Sequence, residues 1–238
     1  MNNFSDVVHR YWKSQMINGD IVHFDELLTL VSNPKLDNSY KMMILEMTNK
    51  HIMVVANPVV ASELKLSNLK EYSIASLRKE ISKCKLVLHP ADCIYYLPYN
   101  KVPNTPEAED GIIIRVLNRE FDKQVFNQFE SICTEDDLDG AYVSLDHWVV
   151  YGAFDKGILI GVCSMYTWDS TKLADLGVII ADPYRGRGIG TRLVKTISRD
   201  VVSKGYVPQY RCQTDNKPSI ALAEASGFDL FGEWEVIV

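Results

Sequence analysis

A glycine-rich stretch with two arginines is the part of this sequence that could do chemistry. It reads Leu176-Gly-Val-Ile-Ile-Ala-Asp-Pro-Tyr-Arg-Gly-Arg-Gly-Ile-Gly-Thr191, and it joins an apolar run typical of a β-strand to a helical pattern. Glycine at every second position from Gly186 to Gly190 lets the backbone turn sharply and lets a ligand approach closely. The first amides of the helix have no internal partners and lie at the positive end of its dipole, where anions bind. With the charges of Arg185 and Arg187, the stretch predicts a site for a pyrophosphate-bearing ligand.

Two other phosphate-binding patterns fit this stretch less well. A nucleoside triphosphate loop requires Gly-x-x-x-x-Gly-Lys-Ser/Thr, and Thr191 stands where its second glycine is required after Gly186. The dinucleotide fingerprint has a different glycine spacing and expects an acidic residue about 20 positions further on, for which Asp215 is a poor substitute. A nicotinamide-dependent oxidoreductase stays open as a weaker alternative, as does a tight strand-to-helix turn that binds nothing.

A second motif lies further along the chain, with Asn216-x-x-Ser219 followed by Gly227-Phe228. Together with Arg185-x-x-Gly188-x-Gly190, it resembles the acyl-CoA loop and the downstream Asn-x-x-Ser/Ala and Gly-Phe signature of the GNAT N-acetyltransferase superfamily. The order of strand, helix, strand, helix and strand agrees as well. The resemblance covers roughly residues 111–238 and does not extend to the first hundred.

The resemblance implies an enzyme that moves an acetyl group from acetyl-CoA to a primary amine by direct attack, with acetyl-CoA as co-substrate. His9, His23, His51 and His89 show no ligand spacing with one another, so we predict no metal. It implies that the loop amides hold the CoA pyrophosphate and that the preceding strand pairs with the pantetheine arm as if it were an added strand. Asn216 and Ser219 match positions that contact CoA or the departing thiol. The residues expected to bind CoA are Val178, Ile179, Ile180, Arg185, Gly186, Arg187, Gly188, Ile189, Gly190, Thr191, Asn216 and Ser219.

The catalytic positions depart from the family pattern. Many members carry a tyrosine acid seven residues after the asparagine, where this chain has Ala223. That role passes to Ser219, which would stabilise the thiolate by a hydrogen bond, or to another hydroxyl such as that of Tyr166. Asp175 is the nearest equivalent of the family's glutamate base, and His147 is either a residue of the acceptor site or an ordinary surface histidine. The missing tyrosine keeps open a non-enzymatic acyl-CoA-binding or sensing protein.

Composition limits the classes of partner. The chain has 238 residues, and its 25 basic and 31 acidic residues give a net charge of −6, which disfavours binding to nucleic acid. Five scattered cysteines without a Cys-x-x-Cys pair indicate neither a disulfide framework nor a zinc site, as expected for a reducing cytoplasm. The polar N-terminus predicts no signal peptide, and the apolar runs are shorter than the ~20 residues of a membrane span. We therefore expect a cytoplasmic protein that does not bind membranes, and a homodimer stays open.

The elements around the motifs predict an α/β protein with a mixed α+β sheet. Three prolines and several acidic residues between Pro98 and Gly111 indicate a linker. We therefore predict an N-terminal α/β domain of unknown role at residues 1–105 and a GNAT-like domain at 106–238.

Within these domains, apolar spacing predicts a helix through Phe24, Leu27, Leu28 and Val31, and a capped helix from Ser73 to Glu80. Strands are predicted at residues 42–47, 52–56, 86–88 and 93–97, and a hairpin is predicted around the turn at residues 155–157. The acidic segment 135–140 is predicted to be a loop.

Overall fold

The computed structural model of the chain describes residues 3–36, 39–101 and 111–238. They form two compact units, each of them discontinuous in sequence. The C-terminal unit contains Tyr96–Arg211 and Pro218–Asp229, with the first residues up to Ser5, and the N-terminal unit contains Asp6–Tyr95, Cys212–Lys217 and Leu230–Val238. The predicted domain boundary between residues 105 and 106 falls within 102–110, outside the described residues, and stays a prediction.

The N-terminal unit contains a sheet with strand order β1-β2-β4-β3-β11-β5. Strands β2 and β4 are parallel, whereas β1–β2, β3–β4 and β3–β11 are antiparallel pairs. Since β11 is the last strand of the chain, the C-terminus supplies an inner strand of this sheet. The elements are α1 (Asp6–Met16), β1 (Asp20–Phe24), β2 (Leu28–Ser32), β3 (Met42–Met47), β4 (Ile52–Ala56), α2 (Pro58–Glu63), a 3₁₀ turn (Leu66–Asn68), α3 (Ile74–Lys83), β5 (Asp92–Tyr96) and β11 (Asp229–Ile237).

Side-chain caps set where two helices of this unit begin. The side chain of Asn57 accepts a hydrogen bond from the amide of Val60 at 2.9 Å, and Pro58 occupies the first turn of α2, where its missing N–H costs nothing. The hydroxyl of Ser73 accepts from the amide of Ser76 at 3.2 Å and starts α3. The helix predicted from Ser73 is therefore confirmed.

The helix predicted through Phe24 and Val31 is wrong, because this segment is the β1–β2 hairpin. The carboxylate of Asp25 accepts hydrogen bonds from the amides of Leu27 and Leu28, both at 2.8 Å, and so closes a turn in the middle of the predicted helix. Residues 28–31 are then buried at every position, and β2 is an inner strand between β1 and β4. Because both faces of the strand are buried, its apolar residues do not alternate, and a short run of this kind can resemble a helical pattern.

The short run 86–88, predicted as a strand, is irregular. The amide of Leu86 donates to the carbonyl of Ile81 at 3.2 Å and so extends the end of α3. The amide of His89 donates to the carbonyl of Val236 at 2.9 Å, which is an isolated bond to β11.

The C-terminal unit is built on a mixed sheet with strand order β6-β7-β8-β9-β10. All neighbours are antiparallel except β9 and β10, which are parallel and joined by α6. The predicted α/β class with a mixed sheet is confirmed. The elements are β6 (Ile113–Val116), α4 (Arg119–Glu130), α5 (Glu135–Ala141), β7 (Val149–Asp155), β8 (Ile158–Thr167), a 3₁₀ turn (Trp168–Ser170), β9 (Leu173–Ile180), a second 3₁₀ turn (Asp182–Tyr184), α6 (Ile189–Ser203), β10 (Val207–Gln213) and α7 (Lys217–Ala225).

The acidic segment predicted as a loop is the helix α5. The hydroxyl of Thr134 accepts from the amide of Asp137 at 3.2 Å and caps the helix. Three acidic residues then fill the first turn, where the helix dipole favours negative charge. The helix ends at Tyr142, whose φ of 47° is left-handed. The acidic residues therefore stabilise the start of a helix, which their composition alone does not indicate.

Candidate active site

Strands β9 and β10 diverge part of the way along their length. β9 pairs with β8 from Ala174 to Ile180, but its register with β10 ends at the pair Leu176 and Tyr210. β9 continues for four further residues to Ile180. The peptide groups of this end therefore lie beside a gap in the sheet, where an extended ligand could pair with them as a strand does.

The glycine loop follows the end of β9 and leads into α6. Gly186 and Gly188 both have φ of 73°, a left-handed conformation that glycine adopts without strain. Gly188 occupies the N-cap position of α6, so the first amides of a helix of 15 residues follow it directly. Gly190 serves packing, because a Cβ there would lie 3.3 Å from the δ carbons of Leu222 in α7. Glycine is thus required for backbone conformation at positions 186 and 188 and for packing at position 190.

Arg185 makes its contacts within the protein. Its Nε donates to the carbonyl of Ile180 at 2.9 Å, and its two Nη atoms pair with Asp137 at 2.8 Å and with Asp182 at 2.9 Å. A hydrogen bond from Thr134 and the pairing with Arg185 lower the pKa of Asp137. The arginine therefore ties the glycine loop to α5. Its predicted contact with the phosphates of a ligand stays a prediction.

Arg187 differs from Arg185 in its surroundings. It is exposed, and its guanidinium carbon lies 5.5 Å from the centre of the Tyr184 ring. A ligand at the loop can therefore approach this charge from solvent.

Asp175, predicted as the base, is the centre of a buried polar network. Its side chain is 6% exposed, and its carboxylate accepts from the hydroxyl of Tyr166 at 2.8 Å and from Nε2 of Gln209 at 2.7 Å. Arg211 pairs with the same carboxylate through Nη2 at 2.9 Å and through Nε at 3.2 Å, and its guanidinium lies 4.2 Å from the centre of the Trp168 ring. Burial and the neighbouring carboxylate raise the pKa of Tyr166. The carboxylate is thus engaged by three side chains.

Ser219, the other predicted catalytic residue, lies in the first turn of α7. Its hydroxyl is 2.8 Å from the hydroxyl of Tyr210, which is buried on β10. Tyr210 is a residue that the sequence reasoning missed, since it belongs to neither motif and its only signal is its position in the strand before Asn216. Asn216 itself precedes α7, and its amide donates to the carbonyl of Gln213 at 3.0 Å. Ala223, at the position of the family's tyrosine, is fully buried.

A group of aromatic and polar side chains lies on the face of the sheet that carries α5. Nδ1 of His147 is 2.8 Å from the hydroxyl of Ser164, and its ring centre lies 5.3 Å from that of Tyr142 and 4.9 Å from that of Tyr166. Burial lowers the pKa of His147. The end of α5 closes over β9 here, because a Cβ on Gly177 would clash with the carbonyl oxygen of Ala141.

The described residues contain neither a cluster of metal ligands nor a helix that could span a membrane. Within residues 3–36, 39–101 and 111–238, no group of three or more His, Cys, Asp or Glu side chains could hold a metal ion. In the same part of the chain, every helix is too short or too polar to cross a bilayer.

Known proteins resemble this chain in sequence pattern and in fold. The model of the acetyltransferase (GNAT) family matches residues 116–228. No curated protein matches the sequence.

Among solved structures, an acetyltransferase from the GNAT family of Colwellia psychrerythraea is 14% identical, with a TM-score of 0.52, over 97% of this chain and 96% of that one. A GCN5-related N-acetyltransferase from Sphaerobacter thermophilus is 13% identical, with a TM-score of 0.52, over 74% of this chain and 62% of that one. A GNAT-family structure from Novosphingobium aromaticivorans is 20% identical, with a TM-score of 0.49, over 63% and 64%.

The chain therefore spans less than two thirds of the length of the Sphaerobacter and Novosphingobium proteins. The likeness to the Colwellia and Sphaerobacter structures shows a common fold. The residues that match the family model include the glycine loop and α7. Residues 116–228 of this chain therefore form a domain of the GNAT acetyltransferase family.

Proposed function

We propose that the chain transfers an acetyl group from acetyl-CoA to a primary amine by direct attack. The observation that carries the proposal is the divergence of β9 and β10 immediately before the glycine loop. It places an open strand edge, a set of helix amides and a hydroxyl pair, Tyr210 and Ser219, within one unit of the chain. A thioester lying in the gap would be held at one end by its phosphates and would meet the acceptor at the other.

The co-substrate is acetyl-CoA, and its three parts match three parts of the site. The pyrophosphate would accept hydrogen bonds from the loop and helix amides, the pantetheine arm would pair with the end of β9, and the thiol would lie near α7. The side chain of Arg187 is exposed and can turn toward the phosphates. The residues proposed to bind CoA are Val178, Ile179, Ile180, Arg185, Gly186, Arg187, Gly188, Ile189, Gly190, Thr191, Asn216 and Ser219.

Direct attack needs a base, a stabilised oxyanion and a leaving thiolate. The strand amides would stabilise the oxyanion, and the Ser219 hydroxyl would donate to the thiolate. Asp175 was predicted as the base, but its carboxylate already accepts hydrogen bonds from three side chains. We therefore propose that Asp175 is a positioning residue, which holds Tyr166 and Arg211 beside the gap.

The test is binding of acetyl-CoA measured by calorimetry, with variants of Gly188. Gly188→Asp places a carboxylate against the phosphates, whereas Gly188→Asn has the same shape without the charge and tolerates the left-handed conformation. We expect the aspartate variant to lose binding by at least tenfold relative to the asparagine variant. Equal affinities of the two variants would argue against phosphates at the loop.

Release of CoA thiol separates the enzyme from its alternatives. Because Ala223 leaves the usual acid position empty, a non-enzymatic acyl-CoA-binding protein predicts tight binding and no thiol release with any amine. A nicotinamide-dependent oxidoreductase predicts instead that NAD displaces acetyl-CoA in competition binding. The acetyltransferase predicts thiol release that depends on the amine, and no displacement by NAD.

A further inference from the structure

His147 lies beside the point at which β9 and β10 diverge. Its Nδ1 is bonded to the hydroxyl of Ser164, and Ser164 is directly opposite Gly177 in the β8–β9 pair. Gly177 is the first residue of β9 beyond the end of its register with β10. Directly opposed residues of an antiparallel pair share a face of the sheet, and at Gly177 that face is covered by the end of α5. The imidazole is therefore held on the α5 side of the gap.

The contacts of Ser164 allow a tautomer that is suited to accept a proton. Ser164 is fully buried, and its oxygen also accepts from the amide of Ser144 at 3.3 Å. A hydroxyl oxygen has two lone pairs and can accept from Nδ1–H of His147 as well. In that arrangement Nε2, on the opposite edge of the ring, carries the lone pair.

Burial favours the neutral form of His147, and the acidic groups around it are paired with arginines. Asp146 precedes it and pairs with Arg119 of α4, and Asp175 of β9 pairs with Arg211 of β10. The phenols of Tyr142 and Tyr166 contact the ring from the end of α5 and from β8. Burial lowers the pKa of His147, and the two carboxylates oppose that shift. Because each carboxylate has an arginine partner, burial dominates, and a neutral imidazole is free to take a proton.

We propose that His147 is the general base for the acceptor amine, an inference that rests on the proposed function. The ammonium proton moves to Nε2, and the amine nitrogen forms a bond to the acetyl carbon. The C–S bond then breaks, and its electron pair leaves with the sulfur. The nitrogen loses a second proton as the amide forms, the thiolate gains one, and His147 returns its proton to solvent. The net reaction yields amide, CoA thiol and one proton.

The test uses the full chain, acetyl-CoA, and tyramine, spermidine and glycinamide as probe amines. His147→Asn keeps an N–H that can donate to Ser164 and removes the basic nitrogen. We expect kcat/KM for the best probe to fall by about a hundredfold or more, within the usual contribution of a general base. The wild-type kcat falls as the pH drops through the pKa of His147, and this acidic limb is lost in the variant. His89→Asn, an exposed histidine of the N-terminal unit, is the matched control and should change neither quantity.

Measuring both acetyl-CoA binding and thiol release distinguishes failure of the base assignment from failure of the proposed function. If the wild type binds acetyl-CoA and releases thiol but His147→Asn retains its rate and acidic limb, the base assignment is overturned and the proposed function stands. If acetyl-CoA does not bind, the proposed function fails first. Binding without thiol release from any probe overturns the base assignment in favour of a non-enzymatic binder.

A measurement on the wild type tests the base assignment even if His147→Asn does not fold. Nitrogen-15 spectra of the imidazole should show a neutral ring with its proton on Nδ1 at pH 7. A ring that is charged at pH 7, or one protonated on Nε2, overturns the base assignment.

Discussion

The hydroxyls of Tyr210 and Ser219 are 2.8 Å apart and join β10 to α7. Tyr210 is buried and Ser219 is half-buried, so the tyrosine lies behind the serine as seen from solvent. A phenol has one proton to donate. When Tyr210 donates to Ser219, the serine hydroxyl can donate its own proton to another group. In the proposed reaction that group would be the leaving thiolate.

Tyr210→Phe removes this hydroxyl and keeps the packing of the ring. We expect kcat for thiol release to fall about fivefold to tenfold, since a hydrogen bond contributes about 1 kcal/mol, while the Kd of acetyl-CoA stays unchanged. Ser219→Ala should lower kcat by a similar factor, and the kcat of the double variant should be no lower than that of the weaker single variant, because the two hydroxyls act as a unit. Additive losses would show that the pair has no joint role.

Gly177→Ala tests the closeness of α5 to β9. The added Cβ would clash with the backbone oxygen of Ala141, so the backbone must move. We expect a loss of about 1–3 kcal/mol in the free energy of unfolding, measured with urea. The control is Gly140→Ala inside α5, where nothing lies within 4 Å of the added carbon. Alanine favours the helix, so this control should be neutral or slightly stabilising. Equal stabilities of the two variants would contradict the contact.

Asp137→Asn tests the link between α5 and the glycine loop. Phosphates at the loop would compete with Asp137 for Arg185, so removing this carboxylate should tighten acetyl-CoA binding. An exposed ion pair contributes at most about 1 kcal/mol, which limits the gain to about fivefold in Kd by calorimetry. Asp139→Asn changes the charge of the same helix by the same amount and is the control. Weaker binding by Asp137→Asn would show that the pair holds the loop in its binding conformation.

The hydrogen bonds of Asp25 should make the stability of the β1–β2 hairpin depend on pH in the acid range. Hydrogen bonds from His23 and from the amides of Leu27 and Leu28 lower its pKa from 3.8 to about 2. Because the pKa is lower in the folded state, the ionised carboxylate stabilises the hairpin above pH ~4, and this contribution is lost as the pH falls to about 2. Unfolding midpoints of the wild type should fall across this window, and those of Asp25→Asn should fall less. Parallel curves for the two proteins would refute this assignment.

Local patterns in the sequence were enough to predict most elements and the glycine loop. Left-handed glycines, Asn57 and Ser73 at helix starts, and alternating apolar residues act over a few residues, so their meaning is visible in the chain itself. Local patterns predict the wrong element at Asp25, where a side-chain turn interrupts an apolar spacing of helical period. They also predict the wrong element at α5, where the acidic residues that suggest a loop form the first turn of a helix capped by Thr134.

Local sequence patterns do not predict which side chains contact one another in the site. Gln209 and Arg211 lie more than thirty residues after Asp175, and only the parallel register of β10 with β9 brings them to that carboxylate. The pairing of Arg185 with Asp137 depends in the same way on how α5 packs beside the loop.

The sequence by itself therefore determined a glycine-rich loop between a strand and a helix and a GNAT-like order of elements, because backbone conformation depends on neighbouring residues. The tertiary structure decided which charges are already paired and which nitrogen of His147 contacts Ser164. Those properties depend on strand register and helix packing between distant segments, and they move the proposed base from Asp175 to His147.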